Sequence, residues 1–189
     1  MSESERRRIL FRESLARGTS PRLLTLGKGR IGTLPAGFVH DRSCVEIGRG
    51  ARVLAVAREA FLRWRQFDMG WVTVVDPTAA IADGQVIGVE AHTAGLWSLN
   101  VCRILETVDT ANRSGFLYET TATHVEDGQE RFVIDLDPTT QIVSYCIEAV
   151  SRPRHPLVWL AYPFGRAMQR RFVQDSFAQM RDVSRTINP

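Results

Sequence analysis

The residues best suited to chemistry lie in one stretch, GFLYETTATHVEDGQERFVIDLD, at positions 115–137. It contains a phenol, an imidazole and a carboxylate at Tyr118, His124 and Glu130. A histidine and a glutamate within hydrogen-bond reach can transfer protons as a general acid and base. The stretch also reads as a β-hairpin, because Glu126-Asp127-Gly128 is typical of a turn and residues beside a turn are usually solvated. The pattern therefore favours a structural hairpin over a catalytic site.

The alternation of side chains along the second half of this stretch predicts which face of the strand carries Glu130. Every second side chain of a strand shares a face, which groups Glu130 with Phe132, Ile134 and Leu136. That apolar face should turn towards the core, so we expect Glu130 at the mouth of the core face or inside it. A buried carboxylate needs a partner and often has a raised pKa. The preceding strand should bring Tyr118, Glu119 and His124 close to it.

A second polar cluster lies where the last predicted strand ends, at Glu148, Arg152, Arg154 and His155. Arg152 precedes Pro153, which favours an extended backbone, and its guanidinium can bind a carboxylate or phosphate through two N–H groups. It can equally pair with Glu148 or another acid and fasten the following helix to the sheet. The structural role is favoured, because ion pairs of this kind are common.

The remaining motifs predict no cofactor and no metal ion. The Gly48-Arg49-Gly50 turn lacks the third glycine of a dinucleotide site, since position 53 is Val, and is better explained as a tight turn. The four tryptophans are most simply core aromatics, although some could line a ligand pocket, and Trp64 is the candidate among them. No serine-hydrolase or zinc-protease motif is present, so no catalytic residue is assigned.

The elements that must position these residues follow a simple order. Residues 38–48 predict a strand, and residues 51–67 a helix whose apolar face includes Val53, Leu54, Phe61 and Trp64. Residues 70–151 predict about six strands separated by turn signals, and residues 157–183 a long amphipathic helix. The predicted fold class is α+β: a curved antiparallel sheet of about seven strands, a short helix after strand one and a long C-terminal helix packed across the sheet. Such a sheet can enclose a cavity against that helix.

The N-terminal residues are predicted to lie outside this domain. Residues 1–33 predict a short helix, over 2–17, and a basic connector, and residues 34–185 form the single domain. The first thirty residues hold eight Arg or Lys against three Glu, while the whole chain has a net charge of only +3. A solvated basic arm is favoured over a nucleic-acid-binding arm.

Composition also bears on the compartment. No apolar run approaches the ~20 residues that span a bilayer, and the N-terminus lacks the apolar core of a secretory signal. The three cysteines are widely spaced, without Cys or His at metal-ligand spacing. They predict reduced thiols in a cytoplasmic protein.

Several motifs in order resemble the family DUF1990, a domain of unknown function. They are LPAGF (34–38), the GRG turn with its helix, GFLYETTATHVEDGQERF, and SRPRHPLVWLAYPFGRAMQRRF (151–172). In the hairpin, Glu119, Thr121 and Gln129 depart from the family pattern, and the positions that match it are His124, Gly128, Glu130 and Phe132. The resemblance covers roughly residues 30–180. It implies a START-like, helix-grip fold, whose members enclose a hydrophobic pocket for lipids, sterols or polyketides, some as cyclases or hydrolases. It implies no particular activity.

Three functions remain open from the sequence. The first is binding of a small apolar or amphipathic ligand between sheet and C-terminal helix, with a candidate set of Tyr118, His124, Glu130, Glu148, Arg152 and Trp64. The second is an interaction module that uses the Arg-rich N-terminal arm and the last helix. The third is a cavity enzyme with His124 and Glu130 as an acid–base pair. Nucleic acid is not the expected partner, and no oligomeric state follows.

Overall fold

Seven strands form one antiparallel sheet in a computed structural model that describes residues 4, 8, 11, 12, 34, 36–121, 124, 126–154 and 162–185. The strands are β1 (Val39–Arg49), β2 (Val72–Val74), β3 (Val86–Thr93), β4 (Leu96–Asp109), β5 (Arg113–Thr120), β6 (Glu126–Leu136) and β7 (Ile142–Pro153). The helices are α1 (Ala51–Leu62), followed by a 3-10 turn at Arg65–Phe67, and α2 (Tyr162–Arg185). The predicted fold class is confirmed.

The strand order is β1-β7-β6-β5-β4-β3-β2, so every strand after β1 pairs with its neighbour in the chain. Short connections between consecutive strands favour this meander. β1 is carried to the far edge, where it pairs antiparallel with β7 along Val39–Arg49. The ladder shifts register at Glu46/Gly48, so that β1 bends before the chain turns into α1.

The core lies between the concave face of the sheet and the two helices. The predicted apolar face of α1 is confirmed, since Val53, Leu54, Ala57 and Phe61 are all buried. On the sheet, Phe132 and Ile134 of β6 are completely buried, as their alternation with polar neighbours predicts. α2 packs across the concave face through its second half, where Met180 is buried. No helix in the described parts of the chain is both long and apolar enough to cross a membrane.

Residues from the N-terminal part contact the convex face of the sheet. Most of the helix predicted over 2–17 falls outside the described residues; the four described there, at 4, 8, 11 and 12, are helical. Phe11 lies against Gly88 of β3, where a Cβ would stand 3.1 Å from its ring. Leu34 and Phe38 cover a small cluster of Leu117 and Val150. The division at residues 33 and 34 stays a prediction.

The cysteine prediction was wrong, because Cys44 and Cys146 form a disulfide. The two residues stand directly opposite each other in the β1–β7 ladder, with Cα atoms 4.1 Å apart. Cys102 is the free cysteine and is buried in β4. Disulfides persist mainly in oxidising compartments, so the cysteines do not support a cytoplasmic location.

The turn prediction at Glu126-Asp127-Gly128 was also wrong, because these residues open strand β6. They pair with Pro153, Arg152 and Ser151 of β7. The glycine is required by a close approach between the strands: a Cβ on Gly128 would lie 2.5 Å from the carbonyl oxygen of Val150. Because β6 begins at Glu126, this residue lies on the concave face of the sheet and not in a solvated turn. It is four residues from Glu130 on the same face of the strand.

Candidate functional site

A cavity of about 560 Å³ lies between the concave face of the sheet and α2. This volume is within the range of small-molecule sites. Apolar side chains from three strands, the 3-10 turn and α2 form much of its wall, among them Phe67, Trp71, Val72, Val89, Ala91, Ile147, Ala149, Phe172, Val173 and Phe177. The carboxylates and arginines of the lining occur in two places, one deep in the sheet at Glu130 and one around the start of α2.

The deep polar group is a hydrogen-bonded pair, Tyr118 and Glu130. The two residues stand opposite each other on β5 and β6, and the Tyr118 hydroxyl donates to Oε2 of Glu130. Both line the cavity, as does the thiol of Cys102 on β4. The prediction that Glu130 shares the apolar face of its strand and meets Tyr118 across the hairpin is confirmed.

Burial controls the protonation of this pair. It raises the pKa of Glu130 from 4.5 to about 7, with a further rise from the nearby charge of Glu126, while the hydrogen bond from Tyr118 opposes both. Burial also raises the pKa of Tyr118, and the Glu130 charge adds to that. Tyr118 therefore stays a neutral donor, while Glu130 exists in both protonation states near neutral pH. A carboxyl group of this kind can bind a proton, a hydrogen-bond acceptor or a cation.

The second polar group joins α2 to the sheet at the cavity mouth. Arg166 donates two hydrogen bonds to the carboxylate of Asp41 on β1, one of them 2.8 Å long, and a third of 2.9 Å to Oε1 of Gln169. The Gln169 amide in turn donates to both oxygens of Glu126, each at 3.0 Å. The Arg166 hydrogen bond holds the pKa of Asp41 below its usual range. This chain fastens the first turns of α2 over the cavity.

Glu126 is the buried end of that chain. Burial raises its pKa, and hydrogen bonds from Ser151 and Gln169 and the charge of Arg166 offset part of the rise. It lies four residues before Glu130 on the same face of β6, which separates the two Cα atoms by about 13 Å. The two carboxyl groups therefore occupy different parts of the cavity, one at the mouth and one deep inside.

His124 lines the cavity but is not paired with Glu130. Its Nδ1 accepts a hydrogen bond of 3.0 Å from the backbone N–H of Glu126, which places the proton of the neutral ring on Nε2. Burial, and then the charge of Arg154, lower the pKa of His124 to about 4. Among the described residues it makes no hydrogen bond to Glu130, and the acid–base pair anticipated from the sequence is not assembled.

Three of the predicted site residues lie outside the cavity. Trp64 is buried in the core, where its Nε1 donates a 2.8 Å hydrogen bond to the carbonyl of Ala79. Glu148 and Arg152 project from the convex face of β7, because residues 147, 149 and 151 take the concave one. Glu148 bonds His40 at 3.0 Å.

Arg152 has a structural role on that convex face. It bonds Asp127 at 3.3 Å and stacks on the ring of Phe38, with the guanidinium carbon 4.7 Å from the ring centre. Arg154 binds the same Asp127 carboxylate. His155, the remaining member of the cluster singled out in the sequence, lies outside the described residues.

Sequence reasoning missed the polar residues at the mouth, Asp41, Glu126, Arg166 and Gln169. Arg166 and Gln169 fall off the apolar stripe of the last helix, so the pattern gave no reason to place them at a cavity. The stripe rule assumes that the inward face meets a dry core, whereas the start of α2 faces a cavity.

In the described ranges, no group of three or more His, Cys, Asp or Glu side chains is placed to hold a metal ion.

Family membership follows from comparison with known sequences. The model of DUF1990, a domain of unknown function, matches residues 23–179. The chain belongs to the DUF1990 family. A UPF0548 protein from Dictyostelium discoideum is 33% identical over 154 residues, which cover 76% of this chain and 71% of that protein. The UPF0548 protein At2g17695 from Arabidopsis thaliana is 27% identical over 147 residues, or 74% of this chain and 70% of that one.

Solved structures place this DUF1990 protein in a wider fold class. The hypothetical protein jhp0584 from Helicobacter pylori has a TM-score of 0.58 at 12% identity, covering 88% of this chain and 98% of that one. The di-domain ARO/CYC BexL from the BE-7585A biosynthetic pathway has a TM-score of 0.55 at 14% identity, covering 79% of this chain and 51% of that one. At these identities the likeness shows the fold alone, which is the START-like, helix-grip fold.

Proposed function

We propose that this DUF1990 protein binds a small apolar or amphipathic molecule in the cavity between the sheet and α2. The observation that carries the proposal is the cavity itself, about 560 Å³ in volume and walled by aromatic and aliphatic side chains. Burying the apolar surface of a ligand against such a wall is favourable by roughly 25 cal/mol per Å². The polar groups of the lining would then orient the ligand.

The deep pair supports an amphipathic ligand over a purely apolar one. Glu130 and Tyr118 place polar atoms in a lining that also includes apolar groups such as Ile147 and Phe172. A polar group without solvent is costly unless it is hydrogen-bonded. A ligand with one polar end at Glu130 and an apolar body along α2 would satisfy both parts of the wall.

The fold is compatible with this function without establishing it. A structural neighbour of the domain, BexL, is named as an ARO/CYC of a biosynthetic pathway, so a START-like fold can serve small-molecule chemistry. The geometry gives less support to the other two functions. A cavity enzyme would need His124 and Glu130 to be hydrogen-bonded, and they are not. An interaction module would use the arginines of α2, but four of these five arginines already bind groups of the same chain, namely Asp41, Asp175, Asp182 and the carbonyl of Glu46.

Native mass spectrometry of gently purified protein tests the proposal, with the same sample denatured to release small molecules. We expect a discrete extra mass on the native protein that is lost on denaturation. In the variant Ala91→Phe, a larger side chain enters the cavity from β3, and the extra mass should disappear. The control Ala167→Phe, on the exposed face of α2, should keep it. An extra mass retained equally by both variants would place the molecule elsewhere and contradict the proposal.

A further inference from the structure

We propose that the deep end of the cavity, at Glu130, is a site for the ammonium group of an amphipathic amine. This inference rests on the proposed ligand-binding function and adds the chemical class of the ligand. The amine would place its charged end against Glu130 and its hydrocarbon part along the apolar wall towards α2.

The geometry of Glu130 leaves room for a ligand atom at one carboxylate oxygen. Oε2 accepts the Tyr118 hydrogen bond, whereas Oε1 has no hydrogen-bond partner among the described residues. On the other side of Glu130, its partner in the β7 ladder is Ala149, which also lines the cavity. A methyl group at that position leaves space beside the carboxylate that a larger side chain would fill.

The charges around Glu130 favour a cation. Among the residues that the structure describes, the titratable groups that influence it or respond to it are Tyr118 on β5, Cys102 on β4, Tyr145 on β7 and Glu126 on its own strand. None of these is positive in either protonation state. An ammonium group is therefore attracted by Glu130, and the anionic end of a fatty acid would be repelled there.

The positive groups of the lining lie elsewhere. Among the described lining residues, the arginines are Arg166 and Arg170, both in the first turns of α2. Arg166 is already held by two hydrogen bonds to Asp41. His124 is neutral near pH 7, because burial lowers its pKa to about 4. Beyond Arg170, the α2 residues that line the cavity carry no charge.

An aromatic wall continues from the Glu130 site. The ring of Tyr118 lies 5.6 Å from that of Phe132, which lies 5.2 Å from Phe67 and 6.3 Å from Phe172. Phe67 and Phe172 line the cavity. Aromatic faces attract ammonium groups as well as hydrocarbon chains, so the wall suits both parts of an amphipathic amine.

Three probes of equal chain length separate the head-group chemistries: decylamine, decan-1-ol and decanoate. Their affinities for the full chain would be measured at pH 8 by isothermal titration calorimetry. We expect decylamine to bind at least about tenfold more tightly than decan-1-ol, because a hydrogen bond to a charged group is stronger than one between neutral groups. Decanoate should bind most weakly.

The pH dependence gives a second readout on the unmodified protein. An ammonium group requires the ionised form of Glu130, whose pKa is about 7, so decylamine should bind about thirtyfold more weakly at pH 5.5 than at pH 8. The amine itself stays charged at both values. Decan-1-ol has no charge to pair and should not show this loss.

A matched pair of variants assigns the effect to Glu130. Glu130→Gln should remove the advantage of decylamine over decan-1-ol. Asp135→Asn, on the convex face of the same strand and paired with Arg113, should keep the advantage. If Glu130→Gln does not fold, the pH profile of the unmodified protein decides alone.

The outcomes separate this inference from the function on which it rests. Equal affinity for decylamine and decan-1-ol, with binding lost in Ala91→Phe, would overturn the amine site and leave the cavity function standing. An advantage for decylamine that persists in Glu130→Gln would also overturn it. No binding of any of the three probes would count against both proposals.

Discussion

At the scale of the residue, Glu130 combines two conditions that oppose each other. Its strand places it on the apolar face with Phe132 and Ile134, which raises its pKa to about 7. Its neighbour across the hairpin, Tyr118, donates a hydrogen bond that stabilises the charged form. A residue with this balance is costly for folding, and groups of strongly perturbed pKa cluster at functional sites.

The free-energy cost of burying the ionised Glu130 carboxylate should be visible in the pH dependence of stability. The pKa of Glu130 is higher in the folded state, about 7, than its ordinary value of 4.5. Its protonation therefore stabilises the folded state fully below about pH 4.5, and this contribution is lost as the pH rises through about 7. Relative to Glu130→Gln, the free energy of unfolding of the unmodified protein should fall by on the order of 2–3 kcal/mol between pH 4.5 and 8. Urea unfolding across this range measures it, and parallel curves for the two proteins would contradict it.

At the scale of the element, strand alternation accounts for what the sequence could and could not predict. Along β6, the apolar residues mark the inward face clearly, so the position of Glu130 was predictable. Along β7, the same alternation places Tyr145, Ile147 and Ala149 inward and Arg152 outward. The outward position of Arg152 could therefore have been predicted, but the cluster of polar residues near Pro153 suggested a common site instead.

Other parts of the site depend on information that no local pattern holds. The start of β6 looks like a turn because Glu126-Asp127-Gly128 has turn composition, and its pairing with β7 decides otherwise. The inward position of Arg166 depends on Asp41, 125 residues away in the chain. The contact of Cys44 with Cys146 depends on a ladder whose partners are 102 residues apart. Register between distant strands is a property of the assembled sheet.

Two glycines test the account of the β6–β7 contact. Gly128→Ala should lower the free energy of unfolding by about 1–3 kcal/mol, because the new Cβ would meet the Val150 carbonyl oxygen at 2.5 Å. Gly165→Ala is the matched control, since a Cβ at this position would meet nothing within 4 Å. Gly165 also lies in α2, and alanine is a better helix former than glycine. The control should be neutral or stabilising by about 0.5–1 kcal/mol. Equal destabilisation of both variants in chemical denaturation would contradict the close contact.

At the scale of the whole molecule, three features hold the sheet and α2 around the cavity. The disulfide joins the edge strand β1 to β7, the Arg166–Asp41 pair joins α2 to β1, and Ser176 of α2 shares a hydrogen bond of 2.9 Å with Tyr145 of β7. The two hydrogen-bonded contacts fix α2 to the sheet in its first turns and in its second half, and the disulfide fixes the edge strand β1. These contacts set the positions of the cavity walls, so that the cavity can persist without collapsing.

The disulfide can be checked directly by counting thiols. Under denaturing, non-reducing conditions, Cys102 should be the one free thiol of the three cysteines, and reduction should raise the count to three. Because the bond closes a span of 102 residues, the variant Cys44→Ala/Cys146→Ala should be less stable by about 2–4 kcal/mol. Three free thiols in protein purified under oxidising conditions would contradict the cross-strand bond.

The central claim is that the space between the sheet and α2 receives a small molecule, and a titration with the neutral, apolar dye Nile red tests it most directly. We expect saturable binding with a blue-shifted emission in the unmodified protein and in Ala167→Phe, and a loss of at least about tenfold in affinity in Ala91→Phe, whose new side chain fills part of the cavity. Thermal unfolding of the three proteins would establish that each is folded. The same affinity in all three folded proteins, or no saturable binding in any of them, would contradict the claim.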